Sequence, residues 1–457
     1  MRLTLGQIAD WIHAVGEFDT GIEVQGYSID SRTVGVGELF FAVKGERLDG
    51  HDYVAAALAN GATAAVVSNG WLIPDDVDPS RLLQVADGQS SVLDALQRLA
   101  RSVRRAWGRR VIGITGSAGK TTTKEAVAQV LGARLRVLKS AGNLNNAFGV
   151  PLQLLRLEPE HEVAVIEMGM NHAGEIAALA AIAEPNWAVV SNVGPVHIEF
   201  FADGVAGIAR AKYELVESLP PDGVAFLNGD DAWVRNFGRG MGQRAVLYGT
   251  GANAAVRAEE VVESGEGVSF QAVVDGDREP VHLHLLGRHN VLNALAAIAV
   301  GVRSGIPLAV CAAAMGQMQP ADKRGEVVHW QGATLINDSY NSNPKALDAM
   351  VDALLAMPAG RRIVVAGEML ELGALTTDLH ADCGARMARL GIDVVLGVRG
   401  AAHALVDAAA QAGAIAIFVE TPEAAGLWMR EHLRQGDVVL VKASRGVRLE
   451  RVFAELA

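Results

Sequence analysis

The sequence has few cysteines and few aromatic residues, and each shortage excludes a class of protein. Its 457 residues include only two cysteines, Cys311 and Cys383, which show neither zinc-ligand spacing nor a CxxC pair. A disulfide-rich secreted domain and a cysteine zinc site are therefore excluded, and buried thiols in a reducing compartment are expected. Aromatic residues make up 5% of the chain, so aliphatic side chains must form most of the cores.

Excess basic charge and long apolar runs are missing as well. The formal net charge is -12, whereas general nucleic-acid binders are usually basic because phosphate neutralisation supplies most of their affinity. We therefore expect small-molecule partners and no nucleic acid. There is no run of 18 uncharged apolar residues, which predicts no membrane span, and the N-terminus lacks the apolar core of a signal peptide. Together these features predict a cytoplasmic protein.

The pattern of predicted elements indicates an α/β protein with three domains. At about 150 residues per domain, 457 residues correspond to three, which we place at 1–86, 87–317 and 318–457. Strand and helix signals alternate within the second and third ranges, as is typical of parallel sheets with helices on their faces. The third range has the pattern of a Rossmann-type domain. A capped amphipathic helix is predicted from 87 to 107, and the short hinges predict domains that pack against one another.

A glycine-rich turn between a strand and a helix is the sharpest local signal. It consists of Gly116, Ser117, Ala118, Gly119, Lys120, Thr121 and Thr122. Glycines let backbone N–H groups converge on phosphate oxygens, and the helix N-terminus adds partial positive charge. Lys120 can reach the outer phosphates, and Thr121 can bind magnesium through its hydroxyl. Ile114 stands where a strict P-loop has its first glycine, so an ordinary glycine turn with a solvated lysine is the alternative.

Two later strand ends offer further ligands for a metal ion. Glu167 ends one strand-like run, and His197 follows another. Because ligands collect at the carboxyl ends of parallel strands, both side chains could hold magnesium near the phosphates. On position alone, Glu167 could instead cap the next helix, and His197 could be an ordinary loop histidine. Lys212 lies in a helical pattern, which by itself favours a solvent-facing lysine.

Several motifs, in order along essentially the whole chain, resemble those of the Mur ligase family of peptidoglycan synthesis. They are residues 30–32, 39–51, the phosphate loop, 142–151, 167–171, 192–197, 287–294, 323–326 and 338–344. The loop matches the GxxGKT pattern of that family, in which the departure at Ile114 is normal. The segment 142–151 is similar to one typical of the member that joins D-alanyl-D-alanine to UDP-N-acetylmuramoyl-tripeptide. The resemblance thus implies these two substrates, with ATP and Mg²⁺ as cofactors.

The resemblance also implies a role for each domain and for individual residues. Domain 1–86 would bind the UDP-sugar, 87–317 would be a P-loop ATPase domain, and 318–457 would complete the ligase. The residues implied for the UDP-sugar-peptide are Ser31, Arg32, Lys44, Asp49, His51, Asn145 and Asn146. Those implied for ATP are the loop residues 116–122 with Asn290, Arg324 and Asp338. Those implied for the dipeptide are Tyr340, Asn341 and Asn343.

The magnesium ligands implied by the resemblance are Thr121, Glu167, His197 and a carbamylated Lys212. Carbon dioxide reacts only with a neutral amine, so carbamylation requires a lowered lysine pKa from burial or nearby positive charge. The resulting carbamate presents oxygens to a hard cation. Lys120, His197 and Lys212 are the implied catalytic residues.

Some of these residues have structural alternatives. Asn290 is also a good N-cap for the helix that follows it. Arg324 could form a salt bridge at the rim, and Asp338 could cap a strand end. Glu368 stands where the family usually has aspartate, and the longer acid is expected to shift a hinge contact without changing the chemistry.

The implied mechanism begins with attack of the tripeptide carboxylate on the γ-phosphate of ATP, which gives an acyl phosphate and ADP. The amine of the dipeptide then displaces phosphate. Three alternatives stay open: a sister Mur ligase that adds a single amino acid, a related synthetase such as folylpolyglutamate synthase, and a nucleotide switch that hydrolyses ATP without either substrate. The segment 142–151 and the N-terminal domain argue against the first two. We expect a monomer.

Overall fold

The N-terminal unit is a parallel sheet with packed side chains on both faces. The computed structural model describes residues 1–86 and 91–456. In chain order, the unit contains β1 (Leu3–Thr4), α1 (Leu5–Ile12), β2 (Glu23–Val24), β3 (Gly26–Ser28), β4 (Glu38–Phe41), α2 (Val54–Ala59), β5 (Ala64–Ser68), β6 (Leu82–Val85) and α3 (Ser91–Trp107). The sheet order is β3-β4-β5-β6, all parallel. Because successive strand residues face opposite sides, Leu39 and Phe41 belong to one core and Phe40 to another.

A long, mostly parallel sheet organises the central unit. Its elements in chain order are β7 (Arg110–Thr115), α4 (Lys120–Gly132), β8 (Val137–Lys139), α5 (Gly149–Leu154), β9 (Val163–Glu167), α6 (Glu175–Ala183), β10 (Trp187–Val190), α7 (Val205–Glu217), β11 (Val224–Asn228), β12 (Ala245–Gly249), β13 (Val256–Ser264), β14 (Gly267–Val274), β15 (Asp277–Leu283), α8 (His289–Arg303) and α9 (Leu308–Gly316). Across the described residues the sheet order is β15-β14-β13-β12-β11-β10-β7-β9-β8. Strand β7 pairs in parallel with β10 on one side and β9 on the other. The carboxyl ends of these three strands therefore meet at one edge.

The C-terminal unit is a second parallel sheet with helices on its faces. Its elements are β16 (Glu326–Trp330), β17 (Ala333–Asn337), α10 (Pro344–Leu355), β18 (Arg361–Gly367), α11 (Thr376–Arg389), β19 (Val394–Val398), α12 (Ala402–Gln411), β20 (Ile415–Val419), α13 (Pro422–His432) and β21 (Asp437–Lys442). The order of the described strands is β16-β17-β21-β18-β19-β20, and only β16 is antiparallel. Strand β21 thus lies between β17 and β18, which places the carboxyl ends of β17 and β21 side by side.

Helix α3 joins the N-terminal and central units. It packs against α1 and β5 on one side and against α5 and α6 on the other. One continuous core cluster accordingly contains side chains of both units. The helix predicted in this region is confirmed from Ser91 onward, whereas its predicted cap at 87–90 and the domain boundary near 87 lie outside the described residues. None of the helices in the described ranges has the length and apolarity needed to cross a bilayer.

Candidate active site

A cleft of about 510 Å³ lies between the central and C-terminal units, a volume that suits a small-molecule ligand. The edge of the central sheet where β7, β9 and β10 end forms one wall, and the residues after β17 and β21 form the other. The predicted site residues that line it are Ser117, Ala118, Gly119, Lys120, Thr121, Thr122, Asn145, Asn146, Glu167, His197, Asn290, Arg324, Asp338, Tyr340, Asn341 and Asn343. Most of the separate sequence motifs therefore meet in one place.

The glycine-rich loop is held in shape by the segment after β10. The Ala118 carbonyl accepts hydrogen bonds from the Ser191 hydroxyl at 2.7 Å and from Asn192 Nδ2 at 2.9 Å. The Ala118 N–H donates to Asn192 Oδ1 at 2.9 Å, and Ser117 Oγ donates to the Gly194 carbonyl at 3.1 Å. A Cβ on Gly116 would overlap the Ser191 hydroxyl. The loop is therefore preformed, and glycine at 116 is a steric requirement.

We predict that Gly116→Ala weakens ATP binding by roughly 5- to 140-fold, because overpacking costs about 1–3 kcal/mol and a tenfold change in affinity is about 1.4 kcal/mol. The added methyl group would push Ser191 away from the loop that it supports. Isothermal titration calorimetry with ATP would measure the effect. Gly132→Ala is the matched control, since Gly132 ends α4 and nothing lies within 4 Å of an added Cβ. Equal affinities of the two variants would contradict the prediction.

Lys120 begins α4 and points back to the loop. Its Nζ donates to the Gly116 carbonyl at 2.8 Å. Burial lowers the pKa of Lys120, and the Arg324 charge lowers that pKa further, whereas Glu167 opposes the shift. Two cations of different units therefore face one cleft beside a helix N-terminus, which favours an anionic ligand there.

Glu167 ends β9 beside the phosphate loop and is 2% exposed. Its Oε1 accepts a hydrogen bond from Asn145 Nδ2 at 2.8 Å, while its Oε2 is buried with no hydrogen-bond partner in the described chain. Helix α6 is capped by Gly174 instead, so the alternative that Glu167 caps the next helix is wrong. A buried carboxylate oxygen without a donor suits a cation, which fits the predicted magnesium site.

His197 follows β10 and lies in the left-handed backbone region, with φ of 57°. Its Nδ1 is 2.5 Å from Glu371 Oε2 of the C-terminal unit. Within residues 1–86 and 91–456, no three histidine, cysteine, aspartate or glutamate side chains form a metal cluster. A magnesium ion held by Glu167 and His197 would therefore draw its other ligands from residues such as Thr121, from substrate or from water.

Lys212 lies on α7 and is 3% exposed. The solvent-facing lysine favoured by the helical pattern is thus wrong. Its ammonium has no hydrogen-bond or ion-pair partner among the residues that the structure describes. Burial lowers the pKa of Lys212 well below its ordinary value, and the Lys120 charge adds to the shift. Lys212 does not line the cleft itself, and neither does Gly116.

The C-terminal wall contributes one stacked cation and one buried ion pair. Arg324 donates from Nη2 to Thr121 Oγ1 at 3.2 Å, and its guanidinium lies 4.1 Å from the centre of the Tyr340 ring. The rim salt bridge considered for Arg324 is absent among the described residues. Asp338 lies 2.5 Å from the ammonium of Lys442, which also donates to the Asn341 carbonyl at 2.8 Å. Asp338 is therefore paired, and its role as a simple strand-end cap is wrong.

Two asparagines predicted as ligands also have local structural roles. Asn343 caps α10 by accepting a hydrogen bond from the Ala346 N–H at 2.9 Å. Asn290 was predicted as an N-cap, which is wrong because α8 begins one residue earlier, at His289. Asn290 Nδ2 instead donates to the Leu286 carbonyl at 2.8 Å. Asn290 lines the cleft, as do the apolar residues Leu285, Leu286 and Met318.

The five candidates of the N-terminal unit lie away from this cleft, and none of them lines it. Arg32 forms a bidentate pair with Asp30, at 2.9 and 2.6 Å. Asp49 contacts His51 Nδ1 at 2.7 Å and Lys44 at 3.5 Å. The backbone carbonyl of Ser31 accepts from Asn60. These groups follow β3 and β4, so they gather at the carboxyl edge of the smaller sheet.

Models of Mur ligase domains match three successive parts of the chain. The Mur ligase family catalytic domain matches residues 23–105, the Mur ligase middle domain matches 114–301, and the Mur ligase glutamate ligase domain matches 323–445. The chain belongs to the Mur ligase family. As a Mur ligase it is an ATP-dependent ligase, and the predicted family, α/β class and three-domain architecture are confirmed.

Curated relatives of this Mur ligase share its full length. The UDP-N-acetylmuramoyl-tripeptide–D-alanyl-D-alanine ligase of Escherichia coli (strain K12) is 36% identical and covers 100% of this chain and 98% of its own. The enzyme of that name from Bacillus subtilis (strain 168) is 34% identical, over 95% of this chain and 93% of its own.

Solved structures of MurF have the same fold as this chain. MurF from Acinetobacter baumannii superposes with a TM-score of 0.89 at 31% identity, covering 100% of this chain and 99% of its own. MurF ligase from Thermotoga maritima in complex with ADP has a TM-score of 0.82 at 29% identity, covering 95% and 97%. A 2,6-diaminopimelate-adding ligase is 19% identical with a TM-score of 0.55, which shows the common fold alone.

Several charged residues near the cleft of this Mur ligase were not predicted from the sequence. Lys442, Lys345 and Arg445 line the cleft, and Glu371 contacts His197 from outside it. Of these, only Lys442 gave a signal in the sequence. It ends the hydrophobic run of β21, and a buried charge at such a position needs a partner. Glu368 accepts from the Ala401 N–H at 3.1 Å within the C-terminal unit, so the predicted hinge contact is not found in the described chain.

Proposed function

We propose that this Mur ligase joins D-alanyl-D-alanine to UDP-N-acetylmuramoyl-tripeptide at the expense of ATP. The observation that carries the proposal is the full-length similarity to curated ligases of that name, at 34–36% identity. The cleft supports it independently, because the phosphate loop faces cations of the C-terminal unit across a space of about 510 Å³. Residues 142–151, which resemble a segment typical of the D-alanyl-D-alanine-adding member, supply Asn145 and Asn146 to the same cleft.

The chemistry requires activation because hydroxide is a poor leaving group from a carboxylate. In this proposal the tripeptide carboxylate attacks the γ-phosphate, and ADP leaves. Lys120 and Arg324 offset the negative charge that accumulates between two anionic reactants, since phosphoryl transfer depends on positioning and charge neutralisation. The dipeptide amine then attacks the carbonyl carbon of the acyl phosphate, and phosphate leaves from the tetrahedral intermediate. Seating the C-terminal unit on the cleft excludes water, which would otherwise hydrolyse the acyl phosphate.

Magnesium would be held by Thr121, Glu167, His197 and a carbamylated Lys212. It would supply Lewis-acid stabilisation of phosphate charge, worth several kcal/mol. The protein groups have their own tasks: Asn145 orients the Glu167 carboxylate through a hydrogen bond at 2.8 Å. Ser140 accepts from the Glu167 backbone N–H at 3.1 Å, and the buried Lys124 donates to the Ser140 carbonyl at 2.7 Å.

Carbamylation of Lys212 gives a prediction that does not depend on turnover. A buried amine with a lowered pKa is more often neutral and so more reactive toward carbon dioxide. In ¹³C-bicarbonate the protein is expected to show a carbamate carbon signal by NMR. Lys212→Arg should abolish the signal, whereas Lys139→Arg, at an exposed lysine, should leave it intact. A signal that survives Lys212→Arg would refute the assignment.

The remaining assignments complete the proposal. Ser31, Arg32, Lys44, Asp49 and His51 bind the UDP-sugar end of the acceptor on the smaller sheet. Tyr340, Asn341 and Asn343 bind the dipeptide, and Asn290 and Asp338 bind the adenosine part of ATP. The enzyme acts as a monomer in the cytoplasm, where ATP and nucleotide-sugars are available, and size-exclusion chromatography with light scattering would test the monomer.

Mass spectrometry of the products tests the proposed reaction. UDP-N-acetylmuramoyl-tripeptide and ATP are incubated with either D-alanyl-D-alanine or single amino acids, while phosphate release is followed in parallel. We expect a pentapeptide product and ADP only with the dipeptide, and phosphate release only when both acceptor and amine are present. Products from single amino acids would favour a sister ligase, and phosphate release without either substrate would favour a nucleotide switch.

A further inference from the structure

One contact between two units involves a predicted metal ligand directly. Glu371 follows β18 in the C-terminal unit, and its Oε2 lies 2.5 Å from Nδ1 of His197 in the central unit. This is the one ion-pair or hydrogen-bond partner of the Glu371 side chain within the described ranges. The carboxylate is therefore not shared with a competing donor.

The backbone on both sides of this contact is strained. His197 has φ of 57° and Glu371 has φ of 65°, a left-handed conformation that costs a residue other than glycine about 1–3 kcal/mol. Such conformations persist where the surroundings fix them. The short helical turns Ile198–Phe200 and Gly373–Leu375 pack against each other here. A Cβ on Gly373 would lie 2.8 Å from that of Glu199, so the close approach of the two segments requires glycine.

The geometry determines which histidine nitrogen is free. Because Nδ1 faces Glu371, the other ring nitrogen, Nε2, is left for the cleft that His197 lines. A carboxylate on one imidazole nitrogen fixes the tautomer and the ring orientation of a metal-binding histidine. Glu371 does not line the cleft, so it would act through His197 and not on substrate.

We propose that Glu371 is a positioning residue through which the C-terminal unit orients the His197 imidazole, so that the metal site is complete only when that unit is seated on the cleft. The inference rests on the proposed function. It explains why a carboxylate of one unit reaches a metal-ligand histidine of another at a strained position. Other contacts between these units, Lys345 with Asp231 at 3.8 Å and Arg324 with Thr121, do not touch His197.

The test compares Glu371→Ala with Glu199→Ala. Glu199 is a suitable control because it is exposed, lies in the same contact between the units and has no side-chain partner among the described residues. Electron paramagnetic resonance would measure the affinity of the ADP-bound protein for Mn²⁺. Glu371→Ala is expected to weaken Mn²⁺ binding about tenfold or more, the usual effect of removing such a partner. Glu199→Ala should bind Mn²⁺ like the wild type.

Two further variants separate positioning from a general loss of contact. Glu371→Gln keeps a side-chain oxygen near Nδ1 but removes the negative charge, so it should recover part of the Mn²⁺ affinity. In a His197→Ala background, Glu371→Ala should cause no additional loss. Wild-type Mn²⁺ affinity in Glu371→Ala, or losses that add fully in the double variant, would overturn the proposal. If wild-type protein bound Mn²⁺ but formed no amide, the proposed function would fail instead.

Discussion

Replacing Lys120 with alanine is expected to reduce ligase turnover by about a thousandfold or more while the protein stays folded. Removing one preorganised donor from a transition state typically costs about 10²–10³ in rate, and in the proposed function Lys120 also binds the phosphates. Among the described residues, the Lys120 side chain has one hydrogen bond, to the Gly116 carbonyl, whereas Ser191 and Asn192 hold the loop in place through Ala118. The loop should therefore keep its shape without the lysine.

The measurement is the rate of pentapeptide formation at saturating substrates, with thermal unfolding followed in the same preparations. Lys139→Ala serves as the control, because Lys139 is an exposed lysine of the same unit that pairs with Glu125. The control is expected to retain wild-type turnover. Ligase activity within tenfold of wild type in Lys120→Ala would show that the lysine is not the phosphate-binding cation.

Replacing Lys442 with methionine is expected to destabilise the C-terminal unit by about 3–5 kcal/mol, the usual result of removing one partner from a buried ion pair. Lys442 and Asp338 have side chains that are 4% and 13% exposed. The variant leaves the Asp338 carboxylate without its cation and the Asn341 carbonyl without its donor. Both groups lie where β17 and β21 end side by side.

Hydrogen exchange measured by mass spectrometry on peptides of β17 and β21 would report the loss locally, which suits a chain of several units better than one global transition. Lys345→Met is the contrasting variant. Its ion pair with Asp231 spans 3.8 Å, and the lysine is 56% exposed. The Asp231 carboxylate is buried but keeps three backbone N–H donors, so the loss should be about 0–1 kcal/mol. The double variant Lys442→Met with Asp338→Asn should recover part of the stability. Equal protection in both lysine variants would contradict the prediction.

Local sequence patterns predicted those parts of the site that are encoded within short stretches of consecutive residues. The strand, glycine turn and helix around Lys120 are encoded within about 20 consecutive residues, and Glu167 and His197 follow recognisable strand ends. The register confirms the reasoning, since Ile114 pairs with Glu167 and Thr115 with Val190. Parallel pairing alone therefore brings these residues to one edge.

Contacts between distant segments were not predictable in this way. Lys212 shows a helical pattern whether its side chain faces solvent or the interior, and only the packing of α7 on the sheet decides. Lys442 lies 104 residues from Asp338, and Glu371 belongs to a different unit from His197. The N-cap prediction for Asn290 failed for a related reason, because the helix starts two residues earlier than that prediction requires, which leaves the carboxamide inside the first turn.

The helix shared by the first two units also determines where this enzyme can be cut and rejoined. A fragment ending at 86 would expose the apolar face of its sheet that α3 covers. A fragment beginning at 110 would likewise expose the surfaces of α5 and α6 that pack against α3. An exchange of N-terminal units between relatives should therefore transfer α3 together with its partners on both sides, α1 and β5 as well as α5 and α6. Chimeras joined near 87 are expected to aggregate, because α3 would then pack against the α1 and β5 of a different protein.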